Sequence, residues 1–131
     1  MIQSIDHIVL TTATPERCIA FYCGALGMTL EKFIGGTPPV ERMALKFGQQ
    51  KINIHIKGKE FTPKAHHPTP GALDLCFIAS IPLDSVMARL KTMDIPLVEG
   101  PVSRTGARGK IQSVYVRDPD ENLIEISTYS D

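Results

Sequence analysis

The chain repeats itself. His7 and Asp74 stand 67 positions apart, and the same offset separates Pro15 from Pro82, Leu26 from Met93 and Leu30 from Leu97. A constant spacing held over that stretch means that one supersecondary unit is used twice. The unit's own pattern says what it is. Ile5-Asp6-His7-Ile8-Val9-Leu10 alternates and is rich in β-branched residues, which predicts a strand. Thr14-Pro15-Glu16 predicts a helix start, with Thr14 as N-cap, Pro15 at the first helical position and an acid in the first turn. Ile19, Tyr22, Cys23 and Leu26 follow at helical spacing, and Gly27 ends the helix. Strands are predicted over 28–34, 40–47 and 51–57, separated by a Gly-Gly-Thr-Pro-Pro loop at 35–39 and a turn at 48–50. The first unit is β-α-β-β-β.

Residues 58–70 contain Pro63, Pro68 and Pro70 and no periodicity, so they read as a linker between units at 1–57 and 71–131. The second unit starts with a strand at Leu73-Asp74-Leu75-Cys76-Phe77. Pro82 then opens a helix whose Leu83, Val86, Met87 and Leu90 form an apolar stripe. Leu97-Val98 is strand-like, 100–110 is expected to be a loop with three glycines, and 111–117 is a strand. Asp118-Pro119-Asp120 is turn chemistry, because Pro fixes φ and Asp side chains bond back to nearby N–H groups. It leads into the last strand, where Leu123, Glu125 and Ser127 share one face and Ile124 and Ile126 the other.

At 131 residues this is one α+β domain of two βαβββ units. A unit of this kind cannot bury both faces of its sheet alone, so the expected arrangement is two units paired around a cleft. The first and last strand of each then contribute inward residues: His7, Asp74, Glu125, and either Asn53 or His55. The last strands match with an offset of 72, which pairs Asn53 with Glu125, or of 70, which pairs His55 with it. Both choices put Asn53 and His55 on one strand face. A carboxylate between two isoleucines is costly to bury unless something pairs with it. Imidazole and carboxylate donors from separate strands suit a divalent cation such as Ni, Mn, Fe, Co or Zn. The metal-ligand candidates are His7, His55, Asp74 and Glu125, with Glu125 also the candidate catalytic group. In the 100–110 segment, Arg104, Arg108 and Lys110 are candidates for holding an anionic substrate.

The residues Ile5-Asp6-His7-Ile8-Val9-Leu10, Phe21-Tyr22-Cys23-Gly24-Ala25-Leu26-Gly27-Met28 and the stretch from Val116 to Ile126 resemble the glyoxalase/bleomycin-resistance/extradiol-dioxygenase group, the vicinal oxygen chelate superfamily. Lys51-Ile52-Asn53-Ile54-His55 with Pro63-Lys64-Ala65-His66-His67-Pro68 is similar, more narrowly, to its glyoxalase-domain-containing-5 branch. The resemblance implies a metal-dependent enzyme that grips a small substrate through two vicinal oxygens, glyoxalase I-like (lactoylglutathione lyase) in the first place. The alternatives are an extradiol ring-cleaving dioxygenase and a metal-free drug-binding resistance protein. Many members carry His where this chain has Asp74, which counts against the dioxygenase pattern. The resemblance also implies a homodimer.

Charge removes other partners. Lys+Arg and Asp+Glu are equal at 14 each, so nothing favours nucleic acid or an anionic membrane. No apolar run reaches the length of a membrane span, and the first residues lack the basic-then-apolar pattern of a signal peptide. Cys18, Cys23 and Cys76 are odd in number and sit in apolar patterns, so they read as reduced packing residues. A cytoplasmic location is expected.

Overall fold

The computed structural model describes residues 1–130. Its contacts divide into two compact units, Met1–Ala72 and a second that begins at Leu73. The first unit runs β1 (His7–Thr12), α1 (Pro15–Ile19), a π-helical continuation (Ala20–Ala25), β2 (Thr29–Gly35), β3 (Val40–Phe47) and β4 (Gln50–Ile56). The second runs β5 (Asp74–Ile78), α2 (Leu83–Thr92), β6 (Glu99–Gly106), β7 (Gly109–Arg117) and β8 (Leu123–Tyr129). Each forms one four-stranded sheet, with order β1-β4-β3-β2 in the first and β5-β8-β7-β6 in the second. The two orders are the same, position for position. Both units are βαβββ modules, as the repeat requires.

In each sheet the first strand lies parallel to the last, and the other pairs are antiparallel. A parallel pair needs a crossover, and the helix supplies it. One face of each sheet is apolar. In the first unit Leu10, Leu45, Ile52 and Ile54 occupy that face, and with helical Cys18 and Tyr22 they are almost wholly shielded from water. In the second, Val114, Val116, Ile124 and Ile126 play the same part with Val86 and Leu90 of α2. The strand period of two therefore leaves the alternate residues of both sheets on the opposite face. That face carries the polar side chains.

Three local expectations are corrected. Thr14 stands at the N-cap, but its hydroxyl makes no capping bond; its own N–H donates to Thr12 Oγ1 at 3.0 Å. Residues 100–110 are not a loop: β6 and β7 form a long hairpin that turns at Ala107-Arg108. Two of the three glycines there serve close packing, since a Cβ on Gly100 would meet the Ser113 carbonyl at 2.5 Å and one on Gly106 the Tyr129 hydroxyl at 2.9 Å. Cys76 is not a core residue either; it is exposed, on the polar face of its sheet.

The Asp-Pro-Asp turn is built as its composition demands. Asp118 Oδ1 accepts from the backbone N–H of Asp120 and of Asn122, both at 2.9 Å, and Oδ2 from the Asn122 amide at 2.8 Å. Asn122 Oδ1 in turn accepts from the Leu73 N–H at 2.8 Å. This network, centred on the buried Asp118 and Asn122 side chains, clamps the start of β8 to the start of β5, and so fixes where Glu125 and Asp74 stand on their sheet. Residues 58–71 carry no helix or strand and pack on the first unit, with Phe61 edge-on to His55 at 5.4 Å between ring centroids.

Candidate functional site

On the polar face of the first unit, β1 offers His7, Val9 and Thr11, β4 offers Lys51, Asn53 and His55, and β3 offers Arg42, Ala44 and Lys46. His7 is half-exposed, and its Nδ1 lies 2.7 Å from Asp6 Oδ2. The hydrogen bond to His7, and secondarily the charge interaction with it, hold the Asp6 carboxyl below the usual aspartate range. A carboxylate on one ring nitrogen fixes the tautomer that leaves the other nitrogen's lone pair available, the arrangement metal-binding histidines use. His55 is buried and makes no side-chain hydrogen bond; its ring packs against Phe61. Burial first, and then the nearby Arg42 guanidinium, push its imidazole below the usual histidine range, while Glu60 pulls the other way.

The ladders settle which residue matches Glu125. Lys51 lies opposite His7 in the first sheet and Leu123 opposite Asp74 in the second, so the last strands are related by an offset of 72. Asn53 is therefore the counterpart of Glu125, and His55 the counterpart of Ser127. Both Asn53 and His55 share the polar face with His7. Asn53 Oδ1 is buried there with no partner.

On the polar face of the second unit, β5 offers Asp74, Cys76 and Ile78, β8 offers Leu123, Glu125, Ser127 and Tyr129, and β7 offers Ser113 and Tyr115. Ser113 donates its hydroxyl to Glu125 Oε2 at 2.6 Å, and Ser127 lies 2.7 Å from Ser113 and 3.4 Å from the same carboxylate oxygen. Two hydroxyls, fully buried, thus hold one oxygen of a half-buried carboxylate. Cys76 faces Glu125 directly across the ladder. Desolvation by the protein atoms around it, above all, raises its thiol pKa, and both Glu125 and Asp74 add to the rise, which favours the protonated thiol.

The hairpin residues divide. Arg104 is on the face of Glu125, where its Nε donates to the Tyr115 hydroxyl at 3.1 Å and its Nη2 to Glu99 at 3.2 Å. Arg108 sits at the turn, with its guanidinium 4.2 Å from the Tyr129 ring centre. Lys110 alternates to the opposite face from Ile111, Ser113 and Tyr115. Within either unit, among the described residues, no three His, Cys, Asp or Glu side chains converge to hold a metal ion. No helix there is long and apolar enough to cross a membrane. The residues that sequence reasoning passed over are Ser113, Ser127, Arg42 and Phe61. Ser113 left one faint mark, a small polar residue amid the apolar alternation of its strand; its partner could be known only from the β7–β8 register.

A model of the Glyoxalase/Bleomycin resistance protein/Dioxygenase superfamily matches residues 4–126. The Salmonella typhimurium Virulence protein STM3117 is 50% identical over 129 residues, which span 98% of this chain and 86% of that one. Its crystal structure superposes with a TM-score of 0.93 over 99% of both chains. Glyoxalase domain-containing protein RDO1 of Mycosarcoma maydis is 50% identical over 130 residues, 99% of this chain and 70% of that protein. An integron cassette protein from the mobile metagenome of V. cholerae has a TM-score of 0.92 at 48% identity, over 99% of this chain and 98% of that one.

Proposed function

The chain belongs to the Glyoxalase/Bleomycin resistance protein/Dioxygenase superfamily, and from that premise we propose that it is a divalent-metal-dependent enzyme, glyoxalase I-like, acting on a small substrate through two adjacent oxygens. The observation that carries this reading is the preparation of two donors. His7 is oriented by Asp6 and Glu125 by Ser113, each through one short hydrogen bond. Metal-binding imidazoles and carboxylates are oriented by outer hydrogen bonds of this kind. The donor chemistry fits a first-row divalent ion: one imidazole from β1, with carboxylates from β8 and β5. The ligand candidates are His7 in the first unit and Glu125 and Asp74 in the second. We place Asp74 ahead of His55 as the third ligand, because the Arg42 guanidinium beside His55 repels a cation.

The chemistry that a bound divalent ion supplies is Lewis-acid polarisation of two adjacent substrate oxygens. The remaining work falls to the chain. Glu125 takes a proton from the substrate carbon and returns it to the neighbouring one, as a lyase of this class requires. Ser113 and Ser127 keep one Glu125 oxygen engaged, so that the other is presented to the substrate in a fixed plane. Arg104, held by Tyr115 and Glu99, offers positive charge to an anionic substrate on the same face, with Arg108 at the hairpin turn as a second contact. Each polar face also exposes an apolar residue, Val9 at 43% in the first unit and Ile78 at 51% in the second.

The same two apolar residues favour a second reading, a metal-free binding protein for a small organic molecule. Metal content separates the two. Protein purified without added metal should carry close to one equivalent of a first-row ion by elemental analysis, and His7→Ala should lose it. Metal-free wild-type protein that also fails to take up Ni²⁺, Mn²⁺ or Zn²⁺ in calorimetry would leave only the binding reading. A ring-cleaving dioxygenase stands behind both, since Asp74 replaces the second histidine of that pattern. We also propose a two-fold homodimer, supported by the exposed Ile5, Val9 and Ile78. Light scattering at micromolar concentration should give twice the 14.4 kDa chain mass.

A further inference from the structure

Arg42 has no use in the function proposed above, and its surroundings are unusual. Its guanidinium carbon sits 4.1 Å from the centre of the Phe61 ring. On another side Gly35 and Gly36 make room for it: a Cβ on Gly36 would collide with Nη2, and one on Gly35 would press on the side chain at 3.3 Å. Gly36 has φ +84°, so the seat is made by a residue whose conformation other side chains rarely adopt. The guanidinium thus lies over an aromatic ring with two glycines on its other side. Yet none of its donors is used. Nε is buried without a partner, and among the described residues the guanidinium makes no hydrogen bond or ion pair. Three lysines of the same unit differ, since Lys32, Lys46 and Lys64 each lie within 4.0 Å of a glutamate.

His55 gives a second, independent sign. It is 7% exposed, it touches the same Phe61 ring, and its imidazole makes no hydrogen bond. Arg42 Nε is the buried polar atom of this pair left without a partner, and such atoms in native proteins point to an absent ligand or to water. Arg42 and His55 share one sheet face, β3 beside β4, both beneath Phe61.

We propose that Arg42 and His55, roofed by Phe61, form a subsite for the carboxylate group of a small organic anion. The planar guanidinium presents paired N–H donors that match a carboxylate's two oxygens, and the His55 ring adds one more donor. A singly charged, flat group fits better than a phosphate. Glu60 lies close enough to act on His55 electrostatically, and its carboxylate would repel a second negative charge. The subsite lies four residues along the strands from His7, because Thr11 is the residue opposite His55. At roughly 3.3 Å per residue this is about 13 Å. A ligand that reached both points would be elongated, with its carboxylate remote from the reacting oxygens. The inference itself needs only the first unit and does not rest on metal binding.

The test is NMR titration of the full-length protein with sodium acetate at constant ionic strength, following the Arg42 Nε–Hε and His55 ring signals. Both should move together and saturate in the millimolar range. Arg42→Gln should weaken the His55 response at least tenfold. Arg42→Lys, which keeps the charge but not the fork and is the milder change should Arg42→Gln fail to fold, should weaken it several-fold. His7→Ala should leave it within twofold, so a failed metal site and a failed carboxylate subsite give different results. Shifts that sodium chloride reproduces, tighter binding of inorganic phosphate than of acetate, or an Arg42→Lys response equal to wild type would each overturn the proposal.

Discussion

The two units share their strand order and ladder register, yet their polar faces have gone separate ways. At the matched position of the last strand, one has Asn53 and the other Glu125. Around Glu125, two serine hydroxyls hold a carboxylate oxygen. Around Asn53 no hydroxyl does so, and its amide oxygen is buried unpaired. One place further along, the first unit has His55 beneath an aromatic roof, and the second has Ser127 inside the hydroxyl cradle. Their apolar faces changed far less: Ile52 and Ile54 on one side answer to Ile124 and Ile126 on the other. A repeated scaffold keeps what packs and varies what faces the ligand, because a core position is constrained by many neighbours at once and a half-buried one by few.

The largest effects should be those common to both units. Ile52→Ala and Ile124→Ala each empty a fully buried site, and each should cost about 2–5 kcal/mol in chemical denaturation. A large loss for one and almost none for the other would break the equivalence of the two cores. Next comes the contrast at the matched position. Glu125→Ala should lower affinity for a divalent ion by more than the roughly 10–100-fold that losing an outer partner brings, whereas Asn53→Ala should change it little. Calorimetric titration with Ni²⁺ or Mn²⁺ decides this, and equal losses would mean that the two strands contribute alike.

Ser113→Ala should then reduce the same affinity by about 10-fold or somewhat more, since it frees the carboxylate without removing it. If the variant binds metal as wild type does, the hydroxyl cradle serves packing alone. The smallest effect separates the units by pH. His55 has a folded pKa below its ordinary value, chiefly from burial, so between the two values the unfolded chain binds the extra proton. Stability contributed by the neutral His55 is complete above its unfolded pKa and falls as pH drops toward the folded one. Arg42, Glu60 and Phe61 are the groups that face it. Urea midpoints measured from neutral pH downward should decline, and His55→Gln should flatten that decline.

Much of the fold could be read without coordinates. The 67-residue offset, the helix-opening prolines and the alternation of Leu123 to Ser127 led to two βαβββ modules, and the strands at 40–47 and 111–117 lie where alternation placed them. The misses have one origin. Gly100 and Gly106 looked like loop residues, but glycine marks close backbone approach as readily as irregularity, and the approaching groups, Ser113 and Tyr129, lie on other strands. Cys76 looked like a packing residue because apolar neighbours surround it in sequence, whereas the sheet turns it toward Glu125.

The sequence by itself determined the kind of every element except β6, the repeat, the Asp118–Asn122 turn and the identity of the polar residues on alternating faces. These depend on local periodicity and backbone preference, which a few neighbouring residues decide. The tertiary structure decided what stands beside what. Only the ladders made Asn53 rather than His55 the match of Glu125, brought Ser113 within 2.6 Å of that carboxylate, and set Arg42 and His55 under Phe61. Strand register is fixed by hydrogen bonds and packing between residues far apart in the chain. A slip of one residue would turn every one of these side chains to the other face while leaving its own alternation pattern intact.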